Sequence, residues 1–313
     1  MLDPTSPPTI VIVGAGAMGC LFAARLAEQG ARVTLVDVDR ERLAAIGRDG
    51  VTLVDDAGRR AVAVGASVAD AVAGPVDLLV LFTKGLHSAV AIASVAHLAS
   101  ADTIALTLQN GIGNAELLAD VFGVDRVLLG TAHVPADLAL PATVETHGFG
   151  HLDLGGLTPP AHRFAPAAAE WLRRAGFDAH IADDVNAVVW EKVAFNAALN
   201  ATGMICQVAN AGVDNPSGRR IAASVVAETV AVAAAAGIVI DAARIDATVD
   251  LALRDHAHHK ASMLQDREHR RRTEIETING AIAREGARLG VPTPVCDTLA
   301  DLVRIIEAAA ARG

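Results

Sequence analysis

The chain has 313 residues, of which 52% are hydrophobic, and a formal net charge of −10. A chain of this length usually forms more than one domain, and its apolar content excludes extensive disorder. The excess of negative charge argues against nucleic acid or an anionic membrane surface as a partner, because both attract basic proteins.

The N-terminal segment predicts a dinucleotide-binding fold. Residues 10–13 form an apolar strand, a helical pattern extends to Gln29, and Arg32–Val36 make a second strand that closes on Asp37. The loop between the first strand and the helix supplies six candidate cofactor-binding residues, which are Gly14, Ala15, Gly16, Ala17, Met18 and Gly19. Strand, G-x-G-x-x-G loop, helix, strand and terminal acid make up the Rossmann fingerprint, in which the acid binds the ribose hydroxyls. We therefore predict that Asp37 binds the cofactor.

Further apolar strands are predicted at 78–82 and 103–108, as in a doubly wound α/β sheet. Each strand ends in polar residues, Thr83 and Lys84 after the first and Gln109 and Asn110 after the second. Ligands of such sheets bind at the carboxyl ends of the strands, so these polar residues lie at the expected binding edge. Shorter strand patterns near 126–130, 143–146 and 151–154, and a helix over about 161–175, complete this part of the chain.

The pattern becomes helical after Asp184, which sets the predicted domain boundary. We expect a dinucleotide-binding Rossmann domain over 8–183 and a helical substrate and catalytic domain over 184–313. The most apolar stretch is Ala222–Ile240, but Glu228 interrupts it, so a buried or interfacial helix is favoured over a membrane span. A homodimer through the helical domain is a further expectation.

One helical segment, residues 190–203, carries a polar stripe. Lys192, Asn196 and Asn200 follow one another at four-residue intervals in an otherwise apolar run, so they share one helix face. Burying such groups without partners costs several kcal/mol. Two explanations remain open from the stripe alone: a hydrogen-bond network between helices, or a polar ligand with Lys192 as a catalytic acid.

A second helix start is predicted near the C-terminus. Thr273 and Glu276 match the T-x-x-E capping box, which places Glu274 in the first turn of a helix, where the helix dipole favours its ionised form. Because the cap is already satisfied by its neighbours, Glu274 is available for another role.

No metal site is predicted. The histidines of the HAHHK segment, His256, His258 and His259, have no convincing carboxylate partner and are expected at an exposed helix end. The three cysteines are far apart and flanked by apolar residues, which indicates buried, inert thiols. The N-terminal residues lack the basic region of a secretory signal, and these features together predict a soluble cytoplasmic protein.

Taken together, these residues resemble the ketopantoate reductase (2-dehydropantoate 2-reductase) family over nearly the whole chain. The resemblance rests on GAGAMG at 14–19, TK at 83–84, QNG at 109–111, WEKVAFNAALN at 190–200, Asn210, and SMLQD…RRTEIETING at 262–280. It implies a Rossmann-type α/β N-terminal domain with an all-α C-terminal domain like that of 6-phosphogluconate dehydrogenase.

The resemblance also implies residue roles. Lys192 matches the family's catalytic lysine and Glu274 its catalytic glutamate; Asn110 matches the asparagine beside the nicotinamide and the lysine, and Lys84 a cofactor-side lysine. The expected substrate-binding residues are Asn110, Asn196, Asn200, Asn210 and Ser262, together with His259, which stands where the family often has an asparagine.

The implied activity is reduction of ketopantoate, or a similar branched 2-keto acid, by hydride transfer from NAD(P)H in pantothenate and coenzyme A biosynthesis. Lys192 would protonate the developing alkoxide, while burial and a nearby Glu274 would shift its pKa in opposite directions. Asp37 favours NADH, whereas the family as a whole favours NADPH and usually has an arginine where this chain has Val38. The alternatives are a related β-hydroxyacid or opine-type dehydrogenase, and a non-catalytic NAD(P)-sensing protein.

Overall fold

The computed structural model describes residues 6–139, 141–148 and 150–311. The chain forms two compact units: the first ends at Val185, and the second begins at Asn186 and also includes Asn110–Gly113. The first unit is α/β and the second is helical. This confirms the predicted fold class, a Rossmann-type N-terminal domain with an all-α C-terminal domain.

Two sheets form the scaffold of the first unit within the ranges that the structure describes. Their strands are β1 (Thr9–Val13), β2 (Arg32–Val36), β3 (Val51–Asp55), β4 (Gly58–Val62), β5 (Gly65–Ser67), β6 (Leu78–Leu81), β7 (Ile104–Thr107), β8 (Val127–His133), β9 (Asp137–Ala139), β10 (Thr143–Glu145), β11 (His151–Gly156) and β12 (Asp178–Ile181). The large sheet has the order β12-β11-β8-β7-β6-β1-β2-β5, and all its pairs are parallel except β11–β8. The small sheet has the order β4-β3-β10-β9. Strands β6 and β7 are buried at every position, which explains their uninterrupted apolar sequences.

Among the residues described in the first unit, six α-helices accompany the sheets: α1 (Ala17–Glu28), α2 (Arg40–Asp49), α3 (Ser88–Ser94), α4 (Asn114–Phe122), α5 (Pro159–His162) and α6 (Ala165–Arg174). Helix α1 buries Phe22 completely, and its ring stacks on Phe177 with centroids 4.2 Å apart. Helix α6 packs on β11 and β12, where it covers their apolar face. The order of strands and helices brings the carboxyl ends of β1, β2 and β6 to one edge of the large sheet.

The described part of the second unit contains seven α-helices: α7 (Val185–Cys206), α8 (Asn210–Val213), α9 (Pro216–Ala235), α10 (Ala242–Asp255), α11 (Ser262–Glu268), α12 (Asn279–Leu289) and α13 (Pro294–Ala310). Helix α9 packs against α8, α10, α12 and α13, so it lies at the centre of this unit. It ends earlier than the apolar run suggested, since Gly237 has a φ of 79° and the chain turns there. Within the described residues, the helices are too short or too polar to cross a bilayer.

Glu228, which interrupts the apolar run of α9, has a structural role. Its two carboxylate oxygens each accept a hydrogen bond of 2.8 Å, one from the amide of Val295 and the other from that of Cys296. These amides belong to the first turn of α13, where no intrahelical acceptor exists. Glu228 therefore caps a neighbouring helix, and its charge is stabilised by the positive end of the helix dipole.

The predicted capping box at Thr273 is wrong. Residues Ile275–Thr277 form a single 3₁₀ turn, and helix α12 begins only at Asn279. The Thr273 hydroxyl donates to Glu307 at 2.7 Å, and the Glu276 carboxylate pairs with Arg304 at 2.7 Å. The two side chains that would have closed the capping box therefore bond the charged groups of Glu307 and Arg304, which are stronger partners than backbone amides.

The prediction for the cysteines is wrong at one position. Cys20 and Cys296 are buried as expected, but Cys206 is exposed. It is the last residue of α7, and the next residue, Gln207, has a left-handed φ of 57° that turns the chain away. The expected exposed helix end at His256, His258 and His259 is present, but α10 already ends at Asp255, so these residues do not share a helical face.

Candidate active site

The glycine-rich loop joins β1 to α1 and is closely packed on one side. Gly14 has a φ of 108°, and a Cβ there would lie 2.8 Å from the backbone of Phe82 and Thr83. A Cβ on Gly19 would overlap the carbonyl oxygen of Gly14. A Cβ on Gly16 would instead meet no atom within 4 Å, so the loop is open at this point. Gly16 is also the N-cap of α1, so the first-turn amides that follow can receive a phosphate group.

A cavity of about 590 Å³ lies beside this loop in the first unit. Its lining includes Gly14 and Gly16 of the loop, Asp37 after β2, and Thr83 and Lys84 after β6. The cavity therefore combines the predicted phosphate-binding loop, the predicted ribose-binding acid and one predicted cofactor-side lysine. Its size and position fit part of a dinucleotide.

The Asp37 carboxylate is held by backbone amides. One oxygen accepts from the amide of Ala15 at 2.6 Å, and the other accepts from Val38 and Asp39 at 2.8 and 3.0 Å. A carboxylate has about four acceptor positions, so roughly one remains for a ribose hydroxyl. Its negative charge stays at the cavity wall, and Val38 beside it is 94% exposed and uncharged.

Arginine side chains are also present at this wall. Arg42 donates to the carbonyl of Ala15 at 3.2 Å and pairs with Asp39 at 3.3 Å. Its buried Nε has no hydrogen-bond partner among the described residues. Arg40 lines the same cavity. The cavity thus contains charges of both signs, and both are held by Ala15, whose amide donates to Asp37 and whose carbonyl accepts from Arg42.

Gln109 fixes the ends of β6 and β7 relative to each other. Its side-chain amide donates to the carbonyl of Thr83 and, at 3.1 Å, to the hydroxyl of Ser88. Its side-chain oxygen accepts from Thr107 at 2.9 Å. The sequence identified Gln109 only as part of the QNG motif. Its contacts indicate that it positions Thr83, which lines the cavity.

In the second unit, Lys192 lies in the middle of α7 and is partly buried. Burial lowers the pKa of Lys192 from 10.5 to about 8, and the charge of Glu274 opposes this shift. The competition expected from the sequence is therefore won by desolvation, since an ammonium loses hydration when it is enclosed. A group that titrates near neutrality can donate a proton readily and recover it from solvent.

Asn110 lies next to Glu274, and the reason is Gly111. The side-chain amide of Asn110 donates to the Glu274 carboxylate at 3.3 Å. Gly111 has a φ of 97°, and a Cβ there would overlap Thr277. The next amide, that of Ile112, donates to the Thr277 carbonyl at 3.0 Å. Only glycine lets this loop approach the 3₁₀ turn so closely, and the approach brings Asn110 to Glu274.

The rest of the predicted stripe continues along α7. Asn196 and Asn200 are both buried, and the Asn200 amide reaches the Ser262 hydroxyl at 3.5 Å. Asn279, which the sequence did not single out, donates from its side chain to the Ala197 carbonyl at 3.0 Å and so fixes the start of α12 against α7. In this unit Glu274 therefore acts on Lys192 through its charge and accepts a hydrogen bond from Asn110. Asn200 is paired with Ser262.

Asn210 and His259 are used differently. The Asn210 side-chain amide donates to the carbonyls of Ala252 and His256 at 3.2 and 3.1 Å, and its backbone amide donates to the carbonyl of His259. Asn210 thus braces the loop after α10, and its side-chain oxygen is what remains for a ligand. His259 is exposed on that loop.

The fold and these side chains define a Rossmann-type enzyme with a lysine-containing helical domain. Two family models match the chain: "Ketopantoate reductase PanE/ApbA" over residues 10–159 and "Ketopantoate reductase PanE/ApbA C terminal" over residues 184–307. A 2-dehydropantoate 2-reductase of Halobacterium salinarum is 31% identical over 95% of this chain and 98% of its own length. The chain belongs to the ketopantoate reductase family and is an oxidoreductase of that family.

Solved structures agree with this assignment. A D-mandelate dehydrogenase in a ternary structure with NADH and anilino(oxo)acetate has a TM-score of 0.91 and 30% identity, covering 97% of this chain and 99% of its own. A PanE/ApbA family ketopantoate reductase from Ralstonia eutropha JMP134 has a TM-score of 0.88 and 28% identity, with the same coverage of 97% and 99%.

Proposed function

We propose that this chain reduces 2-dehydropantoate, or a closely similar branched 2-keto acid, to the 2-hydroxy acid, with Lys192 as the general acid. The observation that carries the proposal is the pKa of Lys192, lowered by burial to about 8 on a helix whose polar face continues through Asn196 and Asn200. Relatives named 2-dehydropantoate 2-reductase support the substrate class. The place in pantothenate and coenzyme A biosynthesis that the sequence resemblance implies is part of the same proposal.

The proposed cofactor is a nicotinamide dinucleotide, which supplies the hydride when bound. The open position at Gly16, the start of α1 and the cavity beside Asp37 fit such a group. We propose residues 8–183 as the dinucleotide-binding domain and 184–313 as the substrate domain. The two-unit division of the chain supports this, with Asn110–Gly113 as an addition to the second unit.

The proposed chemistry follows from the side chains. The Lys192 ammonium would give its proton to the oxygen of the reduced carbonyl group and become a neutral amine, which solvent would reprotonate. Glu274 keeps Lys192 charged before the reaction and, with Asn110, orients it. Asn196, Asn200, Asn210, Ser262 and His259 are the proposed hydrogen-bonding groups for the carboxylate and hydroxyl of the substrate.

We propose NADH as the preferred cofactor. The Asp37 carboxylate at the cavity wall would repel the 2′-phosphate of NADPH, and Val38 offers no charge to compensate. Arg40 and Arg42 line the same cavity and oppose this preference, but Arg42 is already bonded to Asp39 and Ala15. NADPH, which the family resemblance favours, is the alternative.

A second candidate substrate comes from one comparison. A D-mandelate dehydrogenase structure with a TM-score of 0.91 supports a 2-keto acid whose keto carbon carries an aromatic ring. Both candidates have the same keto-acid group, so they differ only in the substituent on the keto carbon.

The experiment is a spectrophotometric assay with ketopantoate and with the keto acid of mandelate, each with NADH and NADPH. We expect turnover with at least one pair, and loss of turnover in Lys192→Ala while reduced cofactor still binds. Lys260→Ala is the control, because Lys260 is exposed and pairs with Glu268 at 2.6 Å. A near-normal rate in Lys192→Ala would remove Lys192 from the mechanism.

A further inference from the structure

A cluster of histidine and aspartate side chains lies on the sheet edge formed by β11 and β12. His151 and Asp178 are direct partners in the parallel register, and Asp153 and His180 are the next pair along on the same face. These four residues are half-buried or exposed, while the intervening Leu152 and Ala179 are buried beneath. The cluster is therefore on the outer face of the strands, away from α6.

The donor atoms of the cluster already lie close together. The His151 Nδ1 is 3.0 Å from one carboxylate oxygen of Asp178, and the His180 Nε2 is 2.7 Å from the other. One ligand atom each from His151, Asp178 and His180 lie within 4.8 Å of one another. Two ligands about 2.1 Å from a tetrahedral zinc ion are roughly 3.4 Å apart, so small side-chain rotations would bring all three to that distance.

A fourth residue is placed to orient one of the imidazoles. The His151 Nε2 lies 3.0 Å from the Asp153 carboxylate. In metal sites a ligating histidine usually bonds a carboxylate through its other ring nitrogen, which fixes the tautomer and the ring direction. Here Nδ1 of His151 would face the metal and Nε2–H would donate to Asp153.

The geometry points to a divalent transition-metal site of the zinc class, formed by His151, Asp178 and His180 with Asp153 orienting His151. A set of imidazole and carboxylate ligands is better suited to Zn²⁺ than to Ca²⁺ or Mg²⁺, because these hard cations prefer oxygen ligands alone. Three protein ligands leave one tetrahedral position for water. The site joins the edge strand β12 to β11, so a bound ion would cross-link the outermost pair of the sheet. The sequence concealed this site, because its ligands come from two separate strands.

The test is calorimetric titration of the tag-free protein with Zn²⁺ at about pH 8, where most imidazoles are neutral. We expect one tight site per chain, an affinity at least about tenfold weaker in His151→Ala and His180→Ala, and a smaller loss in Asp153→Asn. Asp178→Asn keeps an acceptor for the histidines but is a poor ligand. In the presence of a chelator, the Asp178→Asn protein should therefore unfold at the same temperature as the wild type. Its affinity for zinc should nevertheless be lost.

His258→Ala is the matched control, since His258 is exposed and lies in the other histidine-rich segment. It should leave the tight site intact. Absence of a tight site in the wild type, or unchanged affinity in His151→Ala, would mean that the cluster is only a hydrogen-bond network. Loss of the tight site in His258→Ala would move it to the loop after α10. Either result would overturn the proposal.

Discussion

Replacing Glu274 with glutamine tests how the acidity of Lys192 is set. Burial lowers the pKa of Lys192 from 10.5 to about 8, against the opposing charge of Glu274. Glutamine keeps the shape and the hydrogen bonding of the side chain but removes its charge. Desolvation would then act unopposed, and we expect the pKa of Lys192 to fall below 8. An opposite charge close to a titrating group usually accounts for about 1–3 pKa units.

The expected change in rate follows from the fraction of protonated lysine. The protonated form is the proton donor, so reduction proceeds below the pKa of Lys192 and is lost as the pH rises through it. With a fall of about one unit, the protonated fraction at about pH 8 decreases from about one half to about one tenth. The rate would therefore decrease about fivefold from ionisation alone, in addition to any loss of orientation.

The assay is the pH profile of kcat/KM for keto-acid reduction. The wild type should lose activity with a midpoint near the Lys192 pKa of about 8, and Glu274→Gln should lose it at least about one unit lower. Glu276→Gln is the control: it removes a carboxylate two residues away that pairs with Arg304 and Arg284, so stability should fall while the midpoint stays. An unchanged midpoint in Glu274→Gln would refute the electrostatic role of Glu274.

Four further outcomes are expected. Glu228→Ala removes the cap of α13 and should lower the free energy of unfolding by about 1–2 kcal/mol in urea titrations; an unchanged value would contradict the capping role. Gly111→Ala should displace Asn110 and reduce kcat at least about tenfold, with wild-type kinetics as the contrary result. At saturating keto acid, kcat/KM should be higher with NADH; an advantage for NADPH of about tenfold, or 1.4 kcal/mol, would mean that the arginines outweigh Asp37. If the chain dimerises through its helical domain as expected, light scattering should give the mass of a dimer. A monodisperse monomer at high concentration would exclude the dimer.

The parts of the fold that could be predicted are those determined by local patterns. The segment from β1 to β2 has apolar strands, a glycine loop and a helix within a short stretch, and each was located to within a residue or two. Helix α7 was recognisable from its apolar run and its polar stripe. Strands β3, β4, β5, β9 and β12 were missed, because short strands with mixed polarity, such as GRRAV in β4, have no periodic signal of their own.

Tertiary partners account for what the sequence could not show around the candidate site. Glu276 has the spacing of a capping residue, but Arg284 and Arg304 bind it instead. Asn210 has the chemistry of a substrate ligand, and the sequence did not reveal that its side-chain nitrogen also braces the loop after α10. No local pattern could reveal these partners, because they are remote in sequence. The approach of Gly111 to Thr277 was equally hidden, although the Asn-Gly pair itself was visible.

The different environments of the three thiols provide a spectroscopic handle. Burial raises the pKa of Cys20 to about 12 and that of Cys296 further, so both would react slowly with electrophiles. Cys206 is exposed at the last position of α7. A thiol-reactive fluorophore should therefore attach selectively to the natural sequence. It would report on the helix that carries Lys192, so that ligand binding could be followed by emission without introducing a single substitution.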